Sequence, residues 1–294
     1  VKAGFNSIAD QSSLTNLSDL FKADTATGKV DFAGNALNTL TDIPSEMIPT
    51  LVGASARAID PNLRITYDNA DETNNKINQF KSKIPVLSKT LPESYDNWGN
   101  ARTRTNSPLE SAFAQFVNPG TFSNSNITPL DKEVQRLYDA TGDNKVFPKT
   151  AEWSVTVNKE NKKLNNEEYS NYQKSMGGHA YELINSLQNS EKYQNTSDET
   201  KVSMSDDIYQ FSNALAKSEL FGYDIKDSDT YGKIYQAYKQ YGPDGAIAFL
   251  EEKNALKNVG FTTGSDKAVE AYEQGGEQGL QQYAEDKKTF DDLG

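Results

Sequence analysis

Residues 165–187, with the sequence NNEEYSNYQKSMGGHAYELINSL, predict a long amphipathic helix. Asn165 followed by Glu168 is typical of a capping box, in which both side chains bond to backbone N–H groups at the start of a helix. The pair Gly177-Gly178 is a point at which such a helix can kink. Residues at helical spacing indicate the buried face: Tyr169, Tyr172, Met176, Tyr181, Ile184 and Leu187.

Two further helices are predicted on either side of this stretch. Thr128-Pro129 is typical of a helix start, and Leu130, Val134, Leu137 and Tyr138 keep helical spacing up to Gly142. Another helix is predicted over residues 197–220, because apolar residues again recur on one side of it. Its inner face would consist of Val202, Ile208, Phe211, Leu215 and Leu220.

A small β-hairpin is predicted at about residues 153–164. Apolar and polar residues alternate after Trp153, and the following polar residues can form a turn. Such a hairpin must pack on helices, since an isolated one is marginally stable in water. We therefore predict a mainly α fold with one small β-hairpin, in which residues 128–222 form a helical domain.

Residues 235–294 contain two similar segments at an offset of 34 residues, with eight identities in 26 aligned positions, Tyr238 and Tyr272 among them. Each copy has the pattern helix, Gly turn, helix and Gly stop, since Gly adopts the positive φ that ends a helix. The period equals that of tetratricopeptide repeats, but their Trp, Leu-Gly and Pro landmarks are missing. We predict two helical-hairpin repeats over residues 223–294 and a natural polypeptide that continues beyond Gly294; two similar hairpins without a longer array are the simpler alternative.

Less regular structure is predicted before residue 128. We expect residues 1–60 to be a helical segment that continues a longer chain. Residues 61–127 are predicted to be an extended Pro-rich connector, because each of its five prolines disfavours helix in the preceding residue. A short helix over residues 108–116 is the expected exception.

Several residues are candidates for contact with a neighbouring chain. Arg57 and Arg64 flank a turn at Asp60 and can fix it through forked hydrogen bonds. Residues 84–92 form an apolar strap, followed by aromatic residues, which suits a chain laid along a neighbour. The structural or interaction candidates are Arg57, Asp60, Arg64, Pro85, Leu87, Leu91, Trp98, Trp153, Tyr238 and Tyr272.

The composition excludes several classes of function. The 294 residues carry a formal net charge of -12 and include no cysteine. Direct binding to nucleic acid is not expected, since Lys and Arg supply most of the affinity for phosphates. Disulfides and thiolate metal sites are excluded. No apolar run reaches the length of about 18 residues that a membrane span needs, and we expect no cofactor.

Few residues favour catalysis. His179 is the only histidine, which argues against Ser-His-Asp arrangements and multi-histidine metal sites. The aspartates within residues 224–229 lack the central Gly and terminal Glu of a calcium loop. We predict no catalytic, cofactor-binding or metal-binding residues and no enzyme. The alternative, a cell-wall hydrolase, needs a glutamate of raised pKa, such as Glu133 or Glu168.

An ordered series of short blocks carries a family resemblance over about residues 5–220. The blocks are residues 8–11, 18–21, 49–51, 57–61, 84–92, 98–99, 118–119, 133–138, 147–148 and 168–193. In this order they resemble the C-terminal part of bacteriophage tape-measure proteins and related large polyvalent virion proteins. The resemblance implies a structural protein that sets tail length, is released during infection and contributes to genome delivery; it supplies no catalytic residues.

The resemblance also implies partners and a location. The partners are other virion proteins, with which the chain is oligomeric in the particle, and membrane contact is expected only during infection. Tape-measure proteins are continuous coiled coils, whereas this chain has ten prolines and no sustained heptads. The expected location is therefore a globular terminus in the tail lumen or near the tail tip. The alternatives are a capsid-internal, ejected protein, the virion-associated hydrolase, and a module that binds the host envelope through the C-terminal repeats.

Overall fold

The structure is a computed structural model that describes residues 60–83, 85–103, 128–157, 159–226 and 231–293. The predictions for residues 1–59, which include Arg57, and for the short helix at 108–116 lie outside these residues. The chain divides into two compact units. In the described residues, the first unit contains Asp60 and Glu72–Leu91, and the second contains Pro61–Asp71 and the residues from Pro92 onwards.

The first unit contains two short helices, α1 (Asn74–Lys81) and α2 (Pro85–Ser88). The prediction of an extended connector is therefore wrong for these residues. Pro85 is the first residue of α2, where a missing N–H removes no helical hydrogen bond. A proline that disfavours helix in the preceding residue can therefore still begin one. The hydroxyl of Ser88 donates to the buried carboxylate of Asp60 at 2.7 Å.

The second unit begins with extended segments that pair through isolated β-bridges. The bridges join Asn62 to Thr103, Arg64 to Glu93, and Tyr95 to Ala101, all antiparallel. The N–H of Ile65 also donates to the carbonyl of Pro92 at 2.9 Å. These bonds place the turn between Tyr95 and Ala101 at one end of the paired segments.

Three helices form the centre of the second unit: α3 (Pro129–Thr141), α4 (Asn166–Asn189) and α5 (Asp198–Phe221). The predicted starts are present, since capping boxes join Thr128 with Asp131 and Asn165 with Glu168. A short 3-10 turn, Tyr193–Asn195, lies between α4 and α5. The helix α4 continues through the glycine pair at 177 and 178, so the kink allowed by the sequence does not occur.

The predicted β-hairpin is formed by β1 (Ser154–Val157) and β2 (Glu160–Lys163), with Val157 opposite Glu160. Val155 is 1% exposed and belongs to a core cluster with Tyr172 of α4. The hairpin therefore packs on helices, as a marginally stable pair of strands requires. The mainly α fold with a small β-hairpin is confirmed.

The main core lies between α3, α4 and α5 and contains most of the predicted inner residues. Tyr181 and Leu220 are exceptions, since they are 41% and 40% exposed. Leu220 lies in the last turn of α5. The predicted residues that are buried include Val134, Leu137, Tyr172, Met176, Ile184, Leu187, Val202, Ile208, Phe211 and Leu215.

The C-terminal region contains α6 (Gly232–Asn258) and α7 (Asp266–Leu293), and each is broken at one glycine. Gly242 has φ 68° and ψ -156°, and Gly276, 34 residues later, has φ 59° and ψ -150°. Each repeat thus consists of a helix, a glycine break and a second helix with the same backbone conformation.

The first repeat shares the main core, where Ile234, Ile247 and Leu250 are buried. A separate cluster, which includes Leu256 and Tyr272, joins the second repeat to the first. The predicted domain boundary at residue 222 is therefore not a division between separate bodies. The apolar residues at the start of the first repeat complete the core of the preceding helices.

Candidate functional site

A buried turn at residues 95–101, called here the Trp98 turn, contains one of the predicted interaction residues. Asp96 is 1% exposed and accepts hydrogen bonds from the backbone N–H groups of Trp98 at 2.9 Å and Asn100 at 2.8 Å. Burial raises the pKa of Asp96, and the nearby Asp131 carboxylate adds to this effect, although the hydrogen bonds oppose it. The carboxyl therefore fixes the turn in surroundings that disfavour its charge.

The indole of Trp98 connects this turn to the start of α3. Its N–H donates to one carboxylate oxygen of Asp131 at 2.8 Å. The other oxygen accepts from the N–H and the hydroxyl of Thr128, each at 2.8 Å. Trp98 is only 4% exposed, so its described contacts lie within the chain and not on a free surface.

The Trp98 turn approaches the backbone of α4 at the glycine pair. A Cβ added at Gly177 would lie 2.3 Å from the nitrogen of Gly99, and one added at Gly99 would lie 2.6 Å from the carbonyl oxygen of Lys174. These distances are too short for real Cβ atoms. The glycines therefore permit close packing between two backbones rather than a bend in the helix.

Gln173, which sequence reasoning missed, holds two segments against α4. Its side-chain N–H donates to the carbonyl of Asp96 at 2.9 Å, and its side-chain oxygen accepts from the N–H of Ala151 at 2.7 Å. Gln173 is 1% exposed. A polar residue on a helix face gives no periodic signal, but Gly177-Gly178 inside a helix was a usable sign of close backbone approach.

Two of the candidates before the Trp98 turn, Asp60 and Arg64, have side-chain partners within their own units. Arg64 lies 3.6 Å from the carboxylate of Glu93. Leu91 is buried and Leu87 is half-buried, while Pro85 begins α2. Arg57 lies outside the described residues, so the pair of arginines around Asp60 stays a prediction.

Trp153 lies in an aromatic group beside the hairpin. Its ring stacks on Tyr169, with centroids 3.7 Å apart, and the ring of Tyr67 meets it edge-on at 4.8 Å. The side-chain amide of Asn69 donates to the carbonyl of Trp153 at 3.0 Å. This group joins the segment at 67–69 to the hairpin and α4.

Tyr238 and Tyr272 occupy the same position in the two repeats, and each packs against the structure that precedes it. The ring of Tyr238 lies 5.8 Å from that of Phe211 in α5. Tyr272 is 6% exposed and accepts a hydrogen bond from the ammonium of Lys192 at 2.8 Å. These tyrosines therefore mark the inner side of each repeat.

The two glutamates named for the hydrolase alternative have the opposite electrostatics to a general acid. Burial alone would raise the pKa of Glu133, but hydrogen bonds from Arg136 and Tyr193 outweigh it, and the pKa is lowered. Burial would also raise the pKa of Glu168, but the hydrogen bond from the Lys162 ammonium at 2.6 Å outweighs it, and this pKa is lowered too. Both side chains are held in the ionised form, whereas a general acid needs a raised pKa.

His179 does not form a nucleophile-activating pair. Its Nε2 lies 2.9 Å from one carboxylate oxygen of Glu219, and the hydroxyl of Ser175 donates to the other oxygen at 2.7 Å. Burial would raise the pKa of Glu219, but these contacts lower it. The imidazole and the hydroxyl thus share the Glu219 carboxylate as partner. A nucleophile-activating base instead bonds directly to the hydroxyl that it deprotonates.

A cleft of about 200 Å³ lies where the start of α5 meets the repeats. Its lining includes Lys192, Thr200, Glu251 and Glu277. The ammonium of Lys192 already bonds to Tyr272 and lies 3.7 Å from Glu251. The mixed charge of the lining does not select a ligand class.

In the part of the chain that the structure describes, no group of three or more His, Cys, Asp or Glu side chains is placed to hold a metal ion. None of the described helices combines the length and the apolar character needed to cross a membrane.

Comparisons with known proteins detect no match: no protein-family model, curated protein or solved structure is significantly similar to the chain. The ordered sequence blocks and the geometry of the repeats are therefore the basis for a functional proposal.

Proposed function

We propose that this chain is a structural protein of a bacteriophage virion, forming the C-terminal part of a tail tape-measure protein that acts in tail assembly and genome delivery. Its partners are other virion proteins, and its location is the tail lumen or tail tip. It acts through geometry: helical surfaces pack on neighbouring chains and fix their register, and infection releases the assembly.

The observation that carries the proposal is the pair of equivalent repeats. Gly242 and Gly276 break their helices with nearly the same φ and ψ. The first repeat packs on the main core and the second packs on the first. Stacked helical repeats of this kind build extended surfaces for binding other proteins, which is what an assembly protein requires.

The charge of the chain is consistent with a place beside passing DNA. A net charge of -12 repels a phosphate backbone. A protein that lines or plugs a conduit for DNA must not bind the DNA that leaves through it. An acidic surface meets this condition without any specific site.

The test is a phage that encodes the chain and carries a nonsense codon at Trp98. In a non-suppressing host, we expect electron microscopy to show filled heads without completed tails, and a suppressing host should restore tails. Complete, infective particles that lack the chain would contradict a structural role.

Location is tested with a short epitope inserted beside Lys159, at the exposed turn of the hairpin. Immunogold label on opened tails supports the tape-measure assignment. Label that is released only from opened heads, with tails of normal length, would instead assign the chain to the ejected proteins of the capsid interior.

A further inference from the structure

The last helix of the second repeat presents an uncovered apolar side chain. Phe290 is 79% exposed, more than any other large hydrophobic residue in the described part of the chain. Its counterpart 34 residues earlier is Leu256, which is 0% exposed. The same repeat position is thus fully covered in one copy and open in the next.

The cover of Leu256 is the second repeat itself. Leu256 and Ala255 belong to a cluster with Ala268 and Tyr272, which lie four residues apart on the first turns of α7. The matching outer residues of the second repeat are Thr289 and Phe290, and both are exposed. The outer face therefore keeps a large apolar residue at the position that packs on a following repeat.

We propose that this face, formed by Thr289 and Phe290, is the docking site for one further helical hairpin of the same repeat type. The incoming helix would carry a small residue and a tyrosine four residues later, as Ala268 and Tyr272 do. The occupant is inferred from continuity with the interface between the two repeats, and it does not depend on the proposed role in a virion.

A second copy of the whole chain does not offer the matching surface. Ile234, the counterpart of Ala268, is 0% exposed, and it packs with Tyr238 in the main core. Ala268 and Tyr272 are covered by the first repeat. Head-to-tail stacking of two copies is therefore blocked, and only a hairpin with a free inner face can continue the interface.

The experiment extends the full chain after Gly294 with a second copy of residues 261–294. Hydrogen exchange of the amides in residues 277–293 is then measured by mass spectrometry in the extended and the unextended chain. We expect exchange in this segment to slow by about tenfold or more on extension, because a stacked repeat suppresses opening of its neighbour.

Two variants of the extended chain make the result specific. Phe290→Asp should abolish the slowing while the circular dichroism of the main helices stays unchanged, since the side chain is exposed. Tyr241→Asp, at a 68% exposed position beside the break in α6, should leave the slowing intact.

The proposal is overturned if extension does not slow exchange, whether or not the added segment is helical. It is also overturned if the unextended chain sediments as a dimer that Phe290→Asp disperses, because the occupant would then be a second copy paired face to face.

Discussion

At the residue scale, two adjacent glycines in α4 have different surroundings. A Cβ at Gly177 would collide with the backbone of the Trp98 turn, whereas one at Gly178 meets nothing within 4 Å. We expect Gly177→Ala to lower the free energy of unfolding by about 2–3 kcal/mol through this collision. Gly178→Ala should raise it by up to about 1 kcal/mol through better helix propensity. Urea unfolding followed by circular dichroism measures both, and effects of the same sign would contradict the proposed packing.

The bond between Trp98 and Asp131 gives a second prediction at this scale. Trp98→Phe removes the indole N–H and leaves one buried carboxylate oxygen without its donor. We expect a loss of about 2–3 kcal/mol, since an unpaired buried polar atom is costly. Trp153→Phe is the control, because a phenyl ring can keep the stack on Tyr169; its loss in the same urea experiment should be smaller. Equal losses would mean that ring volume, not the hydrogen bond, matters.

Residues that cap helices could be predicted from the sequence, whereas those that join segments could not. Asn165 and Glu168 act within one turn, so their spacing alone identifies them. Gln173 bonds to Asp96 across 77 residues of sequence, and nothing in either neighbourhood indicates the partner. The interaction candidates showed the same limit. Trp98 and Tyr272 were predicted as candidates for contact with a neighbouring chain, but both are buried against elements distant in this chain.

At the element scale, α3 and α5 are joined by a charged group around Arg136. Its guanidinium donates to Glu133 and to Asp198, each at 2.8 Å. The pKa of Asp198 is lowered, chiefly by the hydrogen bond from Arg136. Burial would raise the pKa of Glu133, but the hydrogen bonds from Arg136 and Tyr193 outweigh it, so this pKa is lowered as well. The two helices are thus coupled in a pH-dependent way.

We expect Arg136→Gln to cost about 1 kcal/mol at pH 7, since the group is partly exposed to solvent. A carboxylate whose pKa is lower in the folded than in the unfolded chain stabilises the fold. This stabilisation is complete above the unfolded pKa of about 4, and it is lost as the pH falls through the folded pKa. The difference between the variant and the original chain should therefore shrink towards pH 3. Urea unfolding at both pH values measures it; a constant difference would point to lost packing.

The glycine breaks of the repeats give the other element-scale prediction. Gly242 has φ 68° and ψ -156°, a region that is essentially restricted to glycine. Gly242→Ala should lower the free energy of unfolding by about 1–3 kcal/mol. Gly275→Ala is a matched control, because a Cβ there meets nothing within 4 Å and the break falls on the next residue. If Gly242→Ala left the free energy of unfolding unchanged, the fold would not require the glycine conformation at this break.

Elements were predicted well where the pattern is local and poorly where proline was over-interpreted. The starts of α3 and α4 follow from capping residues next to periodic apolar positions, and α5 follows from its apolar periodicity. Two short helices, α1 and α2, lie within the predicted extended connector, and Pro85 is the first residue of α2. The sequence allowed a kink at the glycine pair of α4, but the helix continues through it. Glycine in a helix interior permits either bending or close packing, and only the structure shows the backbone that packs on Gly177, that of the Trp98 turn.

At the scale of the whole molecule, charge governs which partners are possible. With a net charge of -12, the chain should not retard duplex DNA in a gel at physiological salt and protein concentrations of about 10 μM, since non-specific binding depends on basic residues. A shift that survives added competitor DNA would contradict this expectation.

The sequence predicted a domain boundary at residue 222, between the helical domain and the repeats. The structure shows instead that the first repeat shares the main core with the preceding helices. Sequence similarity identifies the repeats, but it does not show which core they complete.

The two tryptophans, finally, make the second unit a system with built-in optical probes. Trp98 is buried among polar and aromatic groups of the main core, while Trp153 lies half-buried beside the hairpin against Tyr169. The chain contains no other tryptophan. Each single Trp→Phe variant therefore leaves one fluorophore in one known environment. The emission of the two variants can show whether the hairpin edge loosens before the core when the protein meets its partners.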